Sequence, residues 1–348
     1  MLLEKVEGKW VKLFAELFGR SGVTAGTSVV VLCETQSRPV LVELSKLALS
    51  VIGANAFVVE MLSPPLGESI PVRSTGTTYA LQNNAAAMAA LSRVEVVIDC
   101  TVEGLLHSVE ATRLLGGSMR WLMLSNEHPE VFERIALEPD LEARVRLGAD
   151  MLAAASIMHV GSEAGTDLRI DVSGAPGGGD WGVSLVPGQR AHIPGGIIAC
   201  YPLAGTVNGR LVLAPGDANL TFKRYVESPI ALTIENDVVT AIEGSGLDAE
   251  LMRSYFAAWA DPNAYTVSHV GWGMSRLARW DALVMYDRRD VNGTELRAFA
   301  GNFLFSTGAN EHAGRFTKCH FDLPMRNCSV ALDGRLVVDR GQLQGDLR

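Results

Sequence analysis

The chain has 348 residues, 48% hydrophobic and 20% charged with no biased tract, so a globular protein with a sizeable core and room for two domains is expected. A formal net charge of −9 without clustered Lys or Arg argues against a grip on phosphate backbones, and so against nucleic-acid partners. The opening MLLEKVEGKW is charged where a signal peptide needs an apolar run, and no stretch reaches the roughly 18 apolar residues of a membrane span; a cytoplasmic protein with no membrane partner is expected.

Along the first 150 residues, strand-like runs alternate with helical ones. SVVVLCE (28–34), AFVVEM (56–61), VEVVIDC (94–100) and RWLMLS (120–125) read as strands of a parallel sheet, and the segments 39–54 and 83–93 supply crossover helices. An open Rossmann-like α/β domain over 1–155 follows. The first strand runs into CETQSRP, not GxGxxG, so no dinucleotide is assigned. The charged stretch 126–158 is read as a helical bridge, with His128 and His159 as structural residues.

From about residue 160 the texture changes to glycine turns. Hairpins are expected at Asn208-Gly209, Asn236-Asp237 and Asp333-Gly334, and a helix over 247–259 capped by Asp248 or Ser245. The Gly-rich SGAPGGGDWG (173–182) lacks the GK[ST] of a phosphate loop and reads as a surface loop or lid. The segment 156–348 is thus a mainly antiparallel α+β domain. The five cysteines show no CxxC pair and read as reduced thiols.

Seven histidines carry most of the chemical potential. His320 and Asp322, in KCHFDLP, are two residues apart, a step that puts both on the same face of a strand and suits two ligands of one metal ion. A third ligand must come from elsewhere. His269 in SHVGWGMS is preferred because small neighbours let the backbone crowd around an ion; His312 in GANEHAGRF is the rival, in a loop of surface character.

The stretches GTDL (165–168), HIPGGIIACYP (192–202), SHVGWGM (268–274) and STGANEHAGRFTKCHFDLPMRNCSVALDG (306–334) together resemble the 2,5-dihydroxypyridine 5,6-dioxygenase family of bacterial nicotinate degradation. That family is similar in turn to the two-metal aminopeptidases of the thermophilic clan. Two departures from the peptidase pattern stand out. The turn Pro194-Gly195-Gly196-Ile197 has no glutamate to bridge a second ion, and His269 stands where the peptidase has a glutamate. The resemblance therefore implies one Fe(II) on His269, His320 and Asp322 rather than two ions, with positions left open for substrate and O2. A two-metal aminopeptidase is the alternative, and a non-catalytic α/β binding protein a further one.

The activity implied is opening of a hydroxypyridine ring between C5 and C6 to N-formylmaleamate, with both atoms of O2 incorporated, in a closed homo-oligomer. The ring hydroxyl needs a base and a later step an acid, tasks that suit imidazoles. His107 follows the buried strand VEVVIDC at the edge of the sheet where ligands commonly sit, and His192 precedes the turn that lacks the glutamate. Both are expected to be catalytic. Ser306, Thr307 and Thr166 are expected beside the site as hydrogen-bonding supports.

Overall fold

A computed structural model of the protein describes residues 5–348 apart from 66, 68, 69, 71–76 and 107. It divides into two compact units, the main segments of the first being those up to Leu137 together with Trp181–Gly195, and of the second Glu138–Asp180 and Gly196–Arg348.

The first unit is built on a five-stranded parallel sheet in the order Asn55–Met61, Ser28–Glu34, Val96–Asp99, Arg120–Leu124 and Arg190–Ile193. The four expected strands are present. The Arg190–Ile193 strand was not anticipated: four residues that include an arginine and a histidine carry no strand signature of their own. Within Ser28–Glu34 alternate side chains enter different cores. Val29 and Val31 join Phe14, Phe18 and Leu44, while Val30 and Leu32 join Leu91, Leu105 and Trp121. Burial on both faces explains why this strand reads as a continuous apolar run.

Helices flank the sheet for legible reasons. Gly8–Arg20 buries Trp10, Leu13, Phe14, Leu17 and Phe18, a stripe at helical spacing. Pro39–Ile52 starts with proline in its first turn and ends at Gly53 in the left-handed conformation. No helix among the described residues is long and apolar enough to cross a membrane.

In the second unit all strand pairings are antiparallel among the described residues. An eight-stranded sheet has the order Val238–Glu243, Ile230–Glu235, Val207–Leu213, Asp167–Asp171, Ile157–Gly161, Ser329–Leu332, Arg335–Asp339, Gln342–Leu343. A five-stranded sheet has the order Arg315–Met325, Phe303–Asn310, Val267–Gly273, Ile197–Cys200, Gly177–Asp180. The protein is therefore an α/β unit joined in sequence to an antiparallel α+β unit.

Several expectations need correction. Asn236-Asp237 and Asp333-Gly334 are hairpin turns with positive φ at both positions, but Asn208-Gly209 lies inside the Val207–Leu213 strand. The reason is close approach: a Cβ on Gly209 would lie 2.2 Å from Asp167 O of the neighbouring strand. The glycine-rich loop also proves to be partly strand, since Gly177–Asp180 pairs with Ile197–Cys200 and packs on the Leu141–Ala154 helix. His159 lies beyond the end of that helix, exposed on the strand Ile157–Gly161, with Nε2 2.8 Å from Asp167 Oδ1 across the pairing. His128 instead caps Pro129–Ile135, its Nδ1 accepting from Glu130 N. Asp248 does not cap Leu247–Trp259; its Oδ2 accepts from the Glu227 and Ser228 amides.

Candidate metal centre

The site grows from the period of one strand. Along Arg315–Met325, Phe321 points to one side and packs against the rings of Phe222, Tyr255 and Phe256 at 5.9, 5.0 and 5.2 Å. His320 and Asp322 consequently project from the opposite face. In register they stand across from Gly308 and Ser306 of the central strand Phe303–Asn310.

On the far side of that strand the pairing is irregular. Val267 pairs with Thr307 and Val270 with Phe305, so Ser268 and His269 together oppose Ser306, a β-bulge. Ser306 Oγ fills the broken ladder, accepting from His269 N and donating to His269 O, both at 3.1 Å. The bulge turns the His269 ring to the face of His320 and Asp322. The glycines beside His269 serve the sheet, since a Cβ on Gly271 would lie 1.9 Å from Ile198 O of the next strand.

The result is a buried trio. One ligand atom from each of His269, His320 and Asp322 lies within 4.8 Å of the others, with Asp322 Oδ1 3.2 Å from His320 Nε2 and 3.5 Å from His269 Nε2. Asp322 Oδ2 is 2.6 Å from Arg297 Nε. Burial opposes ionisation of Asp322, but the charges of His320, then Arg297 and His269, outweigh it and hold the carboxyl well below the usual carboxylate range. Two imidazole nitrogens and one carboxylate oxygen converging on one point, with Asp322 Oδ1 accepting no hydrogen bond, suit a divalent transition metal such as Fe(II). Among the described residues this is the one group of three or more His, Cys, Asp or Glu so arranged.

Among the described residues, none of the other expected ones supplies a ligand atom to this group. His312 is exposed in the turn Glu311–Ala313 and is separated from the trio by Tyr201, whose ring lies 5.3 Å from it and 5.7 Å from His269. Thr307, in register with Phe321, belongs to the aromatic face rather than to the site. Thr166 Oγ1 binds both backbone groups of Val212, a sheet contact. His192 lies in the first unit at the end of the parallel sheet, Nε2 2.6 Å from Ser125 Oγ. His107 lies outside the described residues.

Two neighbours of the trio were not singled out from sequence. Arg297 sits in the five-residue helix Thr294–Ala298, too short to show periodicity. Tyr201 lies within HIPGGIIACYP, a stretch the resemblance marked without giving that residue a role.

A family model described as 2,5-dihydroxypyridine 5,6-dioxygenase matches residues 9–345. A 2,5-dihydroxypyridine 5,6-dioxygenase of Pseudomonas putida is 36% identical over 338 residues, 95% of each chain. The solved structure of 2,5-dihydroxypyridine dioxygenase from Pseudomonas putida KT2440 superimposes with a TM-score of 0.92 at 34% identity, covering 99% of both chains. AmpT from Thermus thermophilus matches with a TM-score of 0.63 at 14% identity over 97% of this chain and 99% of its own, a likeness of fold.

Proposed function

The chain belongs to the 2,5-dihydroxypyridine 5,6-dioxygenase family, and from that premise we propose that it opens the ring of 2,5-dihydroxypyridine between C5 and C6, using one Fe(II) held by His269, His320 and Asp322. The product is N-formylmaleamate and both oxygen atoms come from O2. The observation that carries this reading is the convergence of three ligand atoms within 4.8 Å of one another from three buried side chains. Bound there, Fe(II) supplies an electron-rich Lewis acid through which O2 and the ring can react.

The chain's own residues supply geometry and protons. The His269 bulge and the His320/Asp322 step place the three donors on one face, so the substrate side of an ion is left to small molecules. His192 and His107 are assigned the proton transfers, the Nε2 of the first lying 2.6 Å from Ser125 Oγ. A ring hydroxyl must lose its proton before ring opening, a task an imidazole can perform as general base. The same proposal places the enzyme in the cytoplasm as a homo-oligomer, acting on a small hydroxypyridine and O2.

Anaerobic loading with Fe(II), then addition of 2,5-dihydroxypyridine and ¹⁸O₂, tests the reading. Loss of ring absorbance and two labelled oxygens in the product are expected. No turnover, or a single labelled oxygen, would overturn it.

A further inference from the structure

The two oxygens of Asp322 have different surroundings. Oδ1 faces both imidazoles, while Oδ2 lies 2.6 Å from Arg297 Nε. The arginine is itself held: its Nη1 donates to Asn292 O and Oδ1, each at 3.2 Å, and Asn302 Nδ2 donates to Arg297 O at 2.9 Å. Both ends of the guanidinium are therefore fixed, and the helix turn that carries it is pinned.

We propose that Arg297 is a positioning residue that confines Asp322 to a single donor oxygen, so that a divalent ion on the trio keeps three positions free of protein ligands and a surplus of positive charge that draws anionic ligands. The proposal deepens the function above and rests on its reading that the trio binds a metal. A carboxylate beside a dication can bind through one oxygen or both. Chelation by both would consume a position needed for a small molecule. A guanidinium cannot be deprotonated in a protein, and its bond to a buried carboxylate is charge-assisted, so Oδ2 is not released cheaply. The same cation also stands where a second metal ion sharing Asp322 would need to be. With neutral imidazoles, dication, carboxylate and guanidinium together leave two positive charges rather than the one that would remain without Arg297.

Titration of metal-free protein with Co(II), followed by azide, reads both consequences. The wild type should take up one Co(II) and change its visible absorption when azide binds. Arg297→Met should bind Co(II) at least as tightly, show altered Co(II) absorption before any azide is added, and lose about tenfold or more in azide affinity as the nearby charge disappears. Arg297→Lys, which keeps the charge but cannot hold Asp322 and Asn292 together, should recover most of the azide affinity. Circular dichroism checks folding, and Arg297→Gln replaces the methionine variant if that one does not fold. A folded variant with unchanged Co(II) absorption and azide affinity would overturn the proposal, as would one that no longer binds Co(II). Failure of the underlying reading looks different: wild type that binds no Co(II), or His320→Ala that binds it equally well.

Discussion

Ser306 holds His269 by both of its backbone groups, accepting from the amide and donating to the carbonyl at 3.1 Å. One hydroxyl thus replaces the ladder bonds that the bulge between Val267 and Val270 has broken. Ser306→Ala leaves a buried amide and carbonyl unsatisfied and should cost about 1–3 kcal/mol of stability. Because the bulge aims the imidazole, divalent-metal affinity should also fall by about tenfold or more, in the range seen for groups that orient metal ligands. Isothermal titration with Co(II) and urea unfolding measure the two effects; unchanged metal affinity would show that the bulge keeps its shape without the hydroxyl.

His320 and Phe321 are adjacent in sequence and lie on opposite faces of one strand, which makes them a matched pair of tests. Phe321→Ala removes a fully buried ring from contact with Phe222, Tyr255 and Phe256 and should cost about 3–5 kcal/mol of stability. Metal affinity of the folded protein should hardly change. His320→Ala should do the reverse, losing more than roughly 100-fold in metal affinity, beyond the loss expected for an outer partner. Equal effects of both variants on metal binding would mean that the two faces are not separate.

That separation also explains what could be read from the amino-acid order. A step of two on a strand is visible in sequence, and it puts His320 and Asp322 on one face without any further knowledge. The place of His269 depends on a bulge, which no local pattern announces, and its claim came chiefly from resemblance. Arg297 meets Asp322 across 25 positions from a helix of five residues, so neither periodicity nor spacing points to it. Asn208-Gly209 shows the opposite failure: the dipeptide has the composition of a tight turn, yet its glycine is there because the Asp167–Asp171 strand runs too close for a side chain. The parallel sheet was legible where strands are buried on both faces, and its last member, Arg190–Ile193, was not, being short and half polar.

Asp217 should leave a mark on the pH dependence of stability. Burial pushes its carboxyl up to about 6, against the pull of the Arg326 and Ala214 amides, each 2.7 Å from one of its oxygens. A folded-state value above the unfolded one means that its favourable contribution is full below about pH 4 and is lost as the pH rises through 6. A shift of roughly two units corresponds to about 3 kcal/mol across that window. Urea unfolding of wild type and Asp217→Asn between pH 4 and 7 isolates it: the difference in stability between the two proteins should move in favour of wild type as the pH falls. A difference independent of pH would mean that the carboxyl stays ionised throughout, held by its two amide donors.

The assignment of proton transfer to histidine yields a prediction that separates chemistry from metal binding. His192 lies on the parallel sheet of the first unit, on a strand distinct from all those that carry the trio, and its Nε2 is held by Ser125 at 2.6 Å. His192→Ala and His107→Ala should therefore keep Fe(II) at wild-type stoichiometry while kcat falls by about 10²–10⁴, the usual range for loss of a general acid or base. Ser125→Ala tests orientation rather than titration: with the imidazole present but its bond to Ser125 removed, kcat should fall by a smaller factor and the pH profile should move, whereas a purely structural serine would leave the profile in place. Metal analysis alongside kcat decides each case. Loss of iron in His107→Ala or His192→Ala would make that histidine a support of the metal centre, and unchanged kcat would remove it from catalysis altogether.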